Sequence, residues 1–327
     1  MGNTLKACIV LVIGPLFWAS CSSSDTAPGP TQPSGARMTL TVGPAAEFRT
    51  IQSAVDAASA GATITVLPGT YGEHVVITRS LKIDGRQAVL DGVAGGLNGR
   101  FLGFEVRADD VEISGMVVQN FERGIVVDHA LRFRLRSGEI RNNTSKDPPP
   151  ISAGVTKSDG VVLIQCQDSE IAGNFIHDNG SIGLLMSTGS SGNTVRSNRF
   201  VNNGTQQGLQ GSGFGGAGIF TIILNNNRNT VVDNDVSGSY WGIQIGSSSD
   251  SANIIQNNRV HGNHRAGIAV FGQHNRIEGN DVTGNGLMNM LPSCALDLMD
   301  WNGSENDWIG NTGSFGVASN QTPRSCS

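Results

Sequence analysis

Charge, aromatic rings and tyrosine are all scarce in this chain: of 327 residues, 15% are charged, 6% are aromatic and two are tyrosine. Its 22 basic and 27 acidic residues give a net charge of −5, with no Lys/Arg stripe, and this excludes a phosphate-tracking nucleic-acid binder. Only five cysteines are present, and no pair of them has metal-ligand spacing. Beyond residue 21 no apolar run approaches the ~20 residues that cross a bilayer as a helix, so the body is not transmembrane. The 11 prolines and 44 glycines stay well below a collagen-like or low-complexity composition. The length suggests one large domain or two ordinary ones.

What the chain does have is a recurring phrase: Asn-x-apolar, a polar pair ending in Asn, a turn, then Gly-apolar-x-apolar. It reads Asn174-Phe175-Ile176 to Asn179, then Gly183-Leu184-Leu185-Met186. It returns at Asn198 to Asn203 with Gly218-Ile219, at Asn234 with Gly242-Ile243, at Asn258 to Asn263 with Gly267-Ile268, and closes at Asn280 to Asn285. A period near 24 residues, twice enlarged by about 12, describes a coil of short strands with insertions at one corner. Such coils cannot close a core alone and must stack on one another. Residues two apart share a strand face, so Ile176, Phe200, Val236, Val260 and Val282 form one inward column. Asn174, Asn198, Asn234, Asn258 and Asn280 stack at a bend, where Asn tolerates unusual backbone angles and its amide reaches the next coil.

Upstream, Ile51, Ala54, Val55 and Ala58 fall at i, i+3, i+4, i+7, one face of a short helix. Thr63 to Tyr71 and Glu73 to Ile77 follow as strands. An amphipathic helix there covers the open end of a solenoid, whose core and strand edge need capping. Further strands are expected near Leu81–Ile83, Ala88–Leu90 and Phe104–Val106. Together the Asn-x-Ile and Gly-Ile repeats and the helix-strand-Pro-Gly-Thr-Tyr entry resemble the right-handed pectin-lyase-like superfamily. That resemblance implies an all-β, single-stranded right-handed parallel β-helix of about ten coils with a short N-terminal capping α-helix, over residues 38–327.

The N-terminal segment reads as an address. Lys6, the apolar run Ala7 to Ala19 and the small residues Ala19-Ser20 have the order of a secretory signal peptide, residues 1–20. Ala19-Ser20-Cys21 resembles the lipobox of bacterial lipoproteins, in which the cysteine is lipidated. Trp18 stands where that family carries Leu, so secretion without lipidation stays open. Gly2 does not read as a myristoylation site, because Lys6 occupies the Ser/Thr position. Residues 21–37, rich in Ser, Pro, Gly and Thr, read as a flexible tether. The expected location is a bacterial membrane-anchored lipoprotein, at the outer membrane or cell surface, or a secreted protein. In that oxidising setting Cys294 and Cys326 can form a disulfide, contributing roughly 3–4 kcal/mol in the chain-entropy model. Cys166 reads as a small buried residue.

Four candidate chemistries arise from the columns. Glu139, Phe175, Arg199, Asp235, Arg259 and Asp281 share one outward column, and the alternation of sign predicts an ion-pair ladder between coils. His177 and His261 share the next column three coils apart, on the order of 14 Å, too far to act jointly. They read as surface histidines in polar turns. Lys157-Ser158-Asp159-Gly160-Val161 resembles the Asn-Thr-Asp-Gly-Ile stretch of polygalacturonase-type glycoside hydrolases. The partner positions read Ser181-Ile182-Gly183 and Gly216-Ala217-Gly218, so inverting hydrolysis lacks its second carboxylate, and Asp159 reads as a turn residue.

The fourth is the enlarged corner. Thr144–Ser158, Thr205–Ala217 and Gly286–Ser293 all leave the same corner, and long loops on rigid scaffolds carry function. Between the second and third insertions, two short coils place Tyr240-Trp241 beside His264-Arg265. Aromatic faces stack on sugars, Arg pairs with a uronate carboxylate, and Tyr or His moves a proton. The catalytic candidates are therefore Tyr240, His264 and Arg265, with Trp241 as substrate platform, for β-elimination or C5 epimerisation of a uronate polysaccharide. The competing reading is a non-catalytic envelope scaffold or glycan-binding lipoprotein, in which Trp241 packs under a loop and the others are solvated. A hydrolase on neutral sugars is the third. No metal site and no cofactor are evident, with calcium left open. Expected partners are polysaccharide, a membrane through the lipid anchor only, and no nucleic acid. The outward residues Val126, Val162, Leu185 and Phe220, with Ile164, Ile222 and Phe271, form an apolar strand face. Either the C-terminal tail with Trp301, Trp308 and Phe315 covers it, or a second copy does, giving a homo-oligomer.

Overall fold

Strands as short as Phe175–His177 bury one side chain each toward an interior, so the fold is settled by what stacks above and below them. The computed structural model describes residues 38–146, 157–204, 216–222, 225–287, 296–301 and 305–317. The chain divides into two units, 1–36 and 37–327, and every described residue lies in the second. That unit is a parallel β-helix built from three sheets of eleven, ten and nine strands. The eleven-stranded sheet runs from Thr39–Val42 to Asp307–Ile309, the ten-stranded from Val75–Ile77 to Phe315–Val317, and the nine-stranded from Thr70–Tyr71 to Asp281–Thr283.

Register follows the repeat. Ile176 pairs with Phe200, Phe200 with Val236, Val236 with Val260 and Val260 with Val282, and all five are fully buried. Ile171, Val195, Val231, Ile255 and Ile277 form the matching column of the eleven-stranded sheet. Ile125, Val161, Leu184, Ile219, Ile243, Ile268 and Leu298 form that of the ten-stranded one. The three columns meet as one core, each side chain contributing about 1.5–3 kcal/mol of burial.

Why glycine recurs at the start of the middle strands of the ten-stranded sheet is a matter of space. A Cβ at Gly124, Gly160 or Gly183 would lie 2.6, 2.7 or 2.6 Å from the carbonyl oxygen of the next coil's glycine. The backbones approach so closely there that no side chain fits.

The asparagines form ladders in which the amide reaches the next coil as expected, while the unusual backbone angle belongs to another residue. Each ladder Asn accepts from the preceding coil's Asn through Oδ1 and donates onward from Nδ2: Asn174 to Asn198, Asn198 to Asn234, Asn234 to Asn258, Asn258 to Asn280 and Asn280 to Asn311, at 2.8–3.0 Å. The left-handed backbone sits one residue earlier, at Gly173, Ser197, Asp233, Asn257 and Gly279, with φ between 53° and 64°. Asn is thus needed for its amide and not for its backbone freedom. Two further ladders run Asn193–Asn229–Asn253–Asn275–Asn306 and Asn143–Asn179–Asn203–Ser239–Asn263–Asn285–Asp297.

The capping helix spans Ile51–Ala57, with Thr50 as N-cap. Its first turn is also capped from a distance: both Glu73 carboxylate oxygens accept from the backbone, at 2.7 Å from Ile51 and 2.8 Å from Gln52. Burial raises the Glu73 carboxyl above its ordinary range, opposed by those two hydrogen bonds. Ile51, Ala54 and Val55 close the core, as the helical spacing predicts.

Candidate functional site

The corner that carries the insertions joins the nine-stranded to the ten-stranded sheet. Successive strands there end and resume at Arg141 and Val161, His177 and Ile182, Val201 and Ala217, Ser237 and Trp241, His261 and Ala266, and Thr283 and Leu296. Long and short connections therefore share one edge, as the spacing predicts. Residues 147–156, 205–215 and 288–295 of the insertions lie outside the described residues. So do Cys21, Cys294 and Cys326, and with them the expected lipidation and disulfide.

At the two short connections the register is the expected one: Trp241 pairs with Ala266, and Arg265 N donates to Tyr240 O at 2.8 Å. The Arg265 guanidinium lies 4.5 Å from the Trp241 ring centroid and 5.9 Å from that of Tyr240. Its Nη1 approaches Tyr240 Oη at 3.4 Å. Arg265 and Tyr240 are both half-buried. Among the described residues no carboxylate pairs with Arg265, although 11 arginine or lysine side chains of this domain do find one.

Two of the expected roles change. Trp241 is 1% exposed, so it is not an open platform for a sugar. It points outward from the sheet, but Ala217 and Ala266 flank it in register, and these small neighbours let the indole settle into a buried outer cluster. His264 donates its backbone N–H to Ser239 O, and its imidazole has no hydrogen bond or ion pair among the described residues. Tyr240 and Arg265 are thus brought together, while His264 is placed by sequence adjacency alone.

Sequence reasoning overlooked an aromatic row. Tyr240 meets Trp241 edge-on at 5.8 Å, Trp241 meets Phe271 at 6.5 Å, and Phe271 stacks on Trp301 at 4.7 Å. Phe271 and Trp301 are half-buried, at adjacent register positions after Val270 and Asp300. The signal was present in the sequence, but Phe271 read as part of the apolar strand face and Trp301 as part of its cover. Trp301 does lie on that face, whereas Trp308 packs against the inner core and Phe315 beside it. Val126, Val162 and Leu185 are 6%, 2% and 5% exposed within the single chain, while Ile164 and Phe271 of the same face are half-buried. The side chains of Phe220 and Ile222 lie outside the described residues.

The other candidates resolve as structure. Asp159 lies in the connection before Val161, as expected, but it is fully buried, accepts from Ile182 N at 3.2 Å and pairs with Arg123 Nε at 3.3 Å. The charged column forms only one weak rung of the expected ion-pair ladder, Arg259 with Asp235. Arg199 lies over the Phe175 ring at 4.9 Å, Arg259 reaches Asp235 only at 3.9 Å, and Asp235 instead meets His261 Nε2 at 3.0 Å. The histidines end strands and do not sit in turns. His177 stacks on Phe175 at 3.9 Å between Glu139 and Asp178, 3.2 and 2.6 Å from their carboxylates. Burial pushes the Cys166 thiol up to about 11, which leaves it an unreactive core residue. Among the described residues no three His, Cys, Asp or Glu side chains gather as metal ligands, and no helix is long and apolar enough to cross a membrane.

A family profile for the right handed beta helix region matches residues 97–222 and 136–313. Comparison with curated proteins finds no match by sequence. Among solved structures the chain is similar to the alginate lyase from Paenibacillus sp. str. FPU-7, at 20% identity and TM-score 0.54 over 87% of this chain and 92% of that one. It is also similar to the periplasmic alginate epimerase AlgG, at 15% identity and TM-score 0.51 over 78% of this chain and 62% of that one. For the Dettilon tailspike protein the values are 15%, 0.53, 82% and 55%. The chain thus spans little more than half the length of the tailspike and about three-fifths of the epimerase.

Proposed function

This chain belongs to the right-handed β-helix family, and on that premise we propose that it binds and processes an acidic polysaccharide at the insertion-bearing corner, as a uronate lyase or C5-epimerase. The observation that carries the reading is Arg265: a half-buried guanidinium with no carboxylate partner among the described residues, stacked beside aromatic rings. Such a cation is ready for an anionic ligand, and Arg is the side chain suited to a planar carboxylate. The names of two structural neighbours, an alginate lyase and an alginate epimerase, support the substrate class.

Both reactions begin with loss of the proton at C5, made feasible when a cation neutralises the adjacent carboxylate. Arg265 supplies that cation, and the Tyr240 hydroxyl, 3.4 Å from it, is the group placed to move the proton. In elimination the C4–O bond then breaks, its electron pair leaves with the glycosidic oxygen, and that oxygen takes up a proton. In epimerisation the C5 proton is returned from the opposite face. His264 is the second proton-transfer group the short coils offer. The alternative reading is binding without turnover, favoured by the lack of a hydrogen bond between the His264 imidazole and Tyr240 or Arg265 among the described residues.

Ultraviolet absorbance of unsaturated uronate products, screened over alginate, polygalacturonate and glycosaminoglycans, tests lyase action. The expected outcome is turnover on one polymer that falls at least a hundredfold in Tyr240→Phe. Undiminished turnover in that variant removes Tyr240 from the chemistry.

We also place the protein at the bacterial envelope as a lipoprotein anchored through Cys21, on the lipobox-like Ala19-Ser20-Cys21. Cys21→Ser is expected to move the protein from the membrane fraction to the soluble fraction. Equal membrane retention of both forms contradicts the anchor.

A further inference from the structure

We infer that Trp241 is a positioning residue for Arg265, holding the guanidinium in the orientation that selects an anionic sugar over a neutral one. The inference rests on the carboxylate-binding reading of Arg265 and assigns a part to a residue that no longer serves as a sugar platform.

Three observations lead to it. The guanidinium lies 4.5 Å from the Trp241 ring centroid, within cation–π range, and Trp is the aromatic side chain that holds a cation most strongly. Among the described residues the one polar side-chain contact of Arg265 is the long one to Tyr240 Oη at 3.4 Å, which fixes it only weakly. The third is the cost of having Trp there. Its Nε1 is buried with no hydrogen-bond partner among the described residues, and a buried donor left unmade is unfavourable. Phenylalanine would fill the same outer cluster of Val126, Val162, Ile182 and Leu185 without that cost. Pure packing therefore gives no reason for Trp, whereas a broad, electron-rich face for a cation does. The small residues Ala217 and Ala266 on either side in register keep the ring clear of bulky strand neighbours.

The experiment compares Trp241→Phe, Arg265→Ala and the parent protein, each titrated with a hexamer of galacturonate and with its methyl ester. The readout is the selectivity ratio between acid and ester, with thermal unfolding measured in parallel. Trp241→Phe is expected to lower that ratio about fivefold, in keeping with partial loss of a desolvated cation–π contact, with an unfolding midpoint unchanged or raised. A general loosening of the corner would weaken both ligands alike and leave the ratio fixed. An unchanged ratio in Trp241→Phe alongside a collapsed ratio in Arg265→Ala overturns the positioning role and leaves the carboxylate reading standing. An unchanged ratio in Arg265→Ala overturns both. If Trp241→Phe folds poorly, Trp241→Tyr keeps a large ring and is expected to fall between the parent and Arg265→Ala.

Discussion

Replacing Gly242 by alanine is expected to lower the unfolding free energy by at least about 3 kcal/mol, the upper part of the range for overpacking. A Cβ there would lie 2.4 Å from the Gly267 carbonyl oxygen, 2.5 Å from Val260 Cγ1 and 2.9 Å from Asn263 Nδ2. The first of these is backbone of the next coil, so relief requires two stacked strands to part, and with them the pairing of Trp241 with Ala266. Gly284 is the control. It has φ +70° and nothing within 4 Å of an added Cβ, so alanine there meets only backbone strain, about 1–2 kcal/mol. Urea unfolding of the two variants separates the effects. Equal losses would show that the glycine repeat serves conformation and not close approach.

Asn234→Ala is expected to cost roughly 2–4 kcal/mol, because it orphans buried groups on both neighbouring coils. Asn234 Oδ1 accepts from both N and Nδ2 of Asn198, at 2.9 and 3.0 Å. Its own Nδ2 donates to Val195 O, Val232 O and Asn258 Oδ1. Alanine leaves the buried Asn198 N–H without an acceptor and breaks the ladder at its centre. Asn306, half-buried at the end of another ladder, should tolerate alanine at under half that cost. A loss below about 1 kcal/mol at Asn234 would mean that water replaces the amide, contrary to its burial.

The fold was legible because a period of stacked coils writes the same constraint many times. The ladder spacings of 24, 36, 24, 22 and 31 residues carry both the coil length and the sites of insertion. Inward columns followed from alternation alone. The outer surface was less legible for three physical reasons. Outward direction does not mean exposure: Trp241 points away from the core and is still buried, between two alanines. Long charged side chains choose among several neighbours, so Arg199 takes the Phe175 ring where sign alternation suggested Asp235. Contacts between distant segments leave no local pattern, as with Arg123 and Asp159 or the Glu73 cap on the helix. At the candidate site, sequence spacing correctly placed Tyr240 beside Arg265. It could not say that Trp241 would support the guanidinium from below, or that Phe271 and Trp301 would extend the aromatic row.

The most direct measurement of the central claim is a crystal structure of the protein with a uronate hexamer bound. The account predicts a sugar carboxylate on the Arg265 guanidinium, a C5 atom facing Tyr240 Oη, and a ring against Phe271 or Trp301. A hexamer bound on another face of the β-helix, with Arg265 untouched, would contradict it.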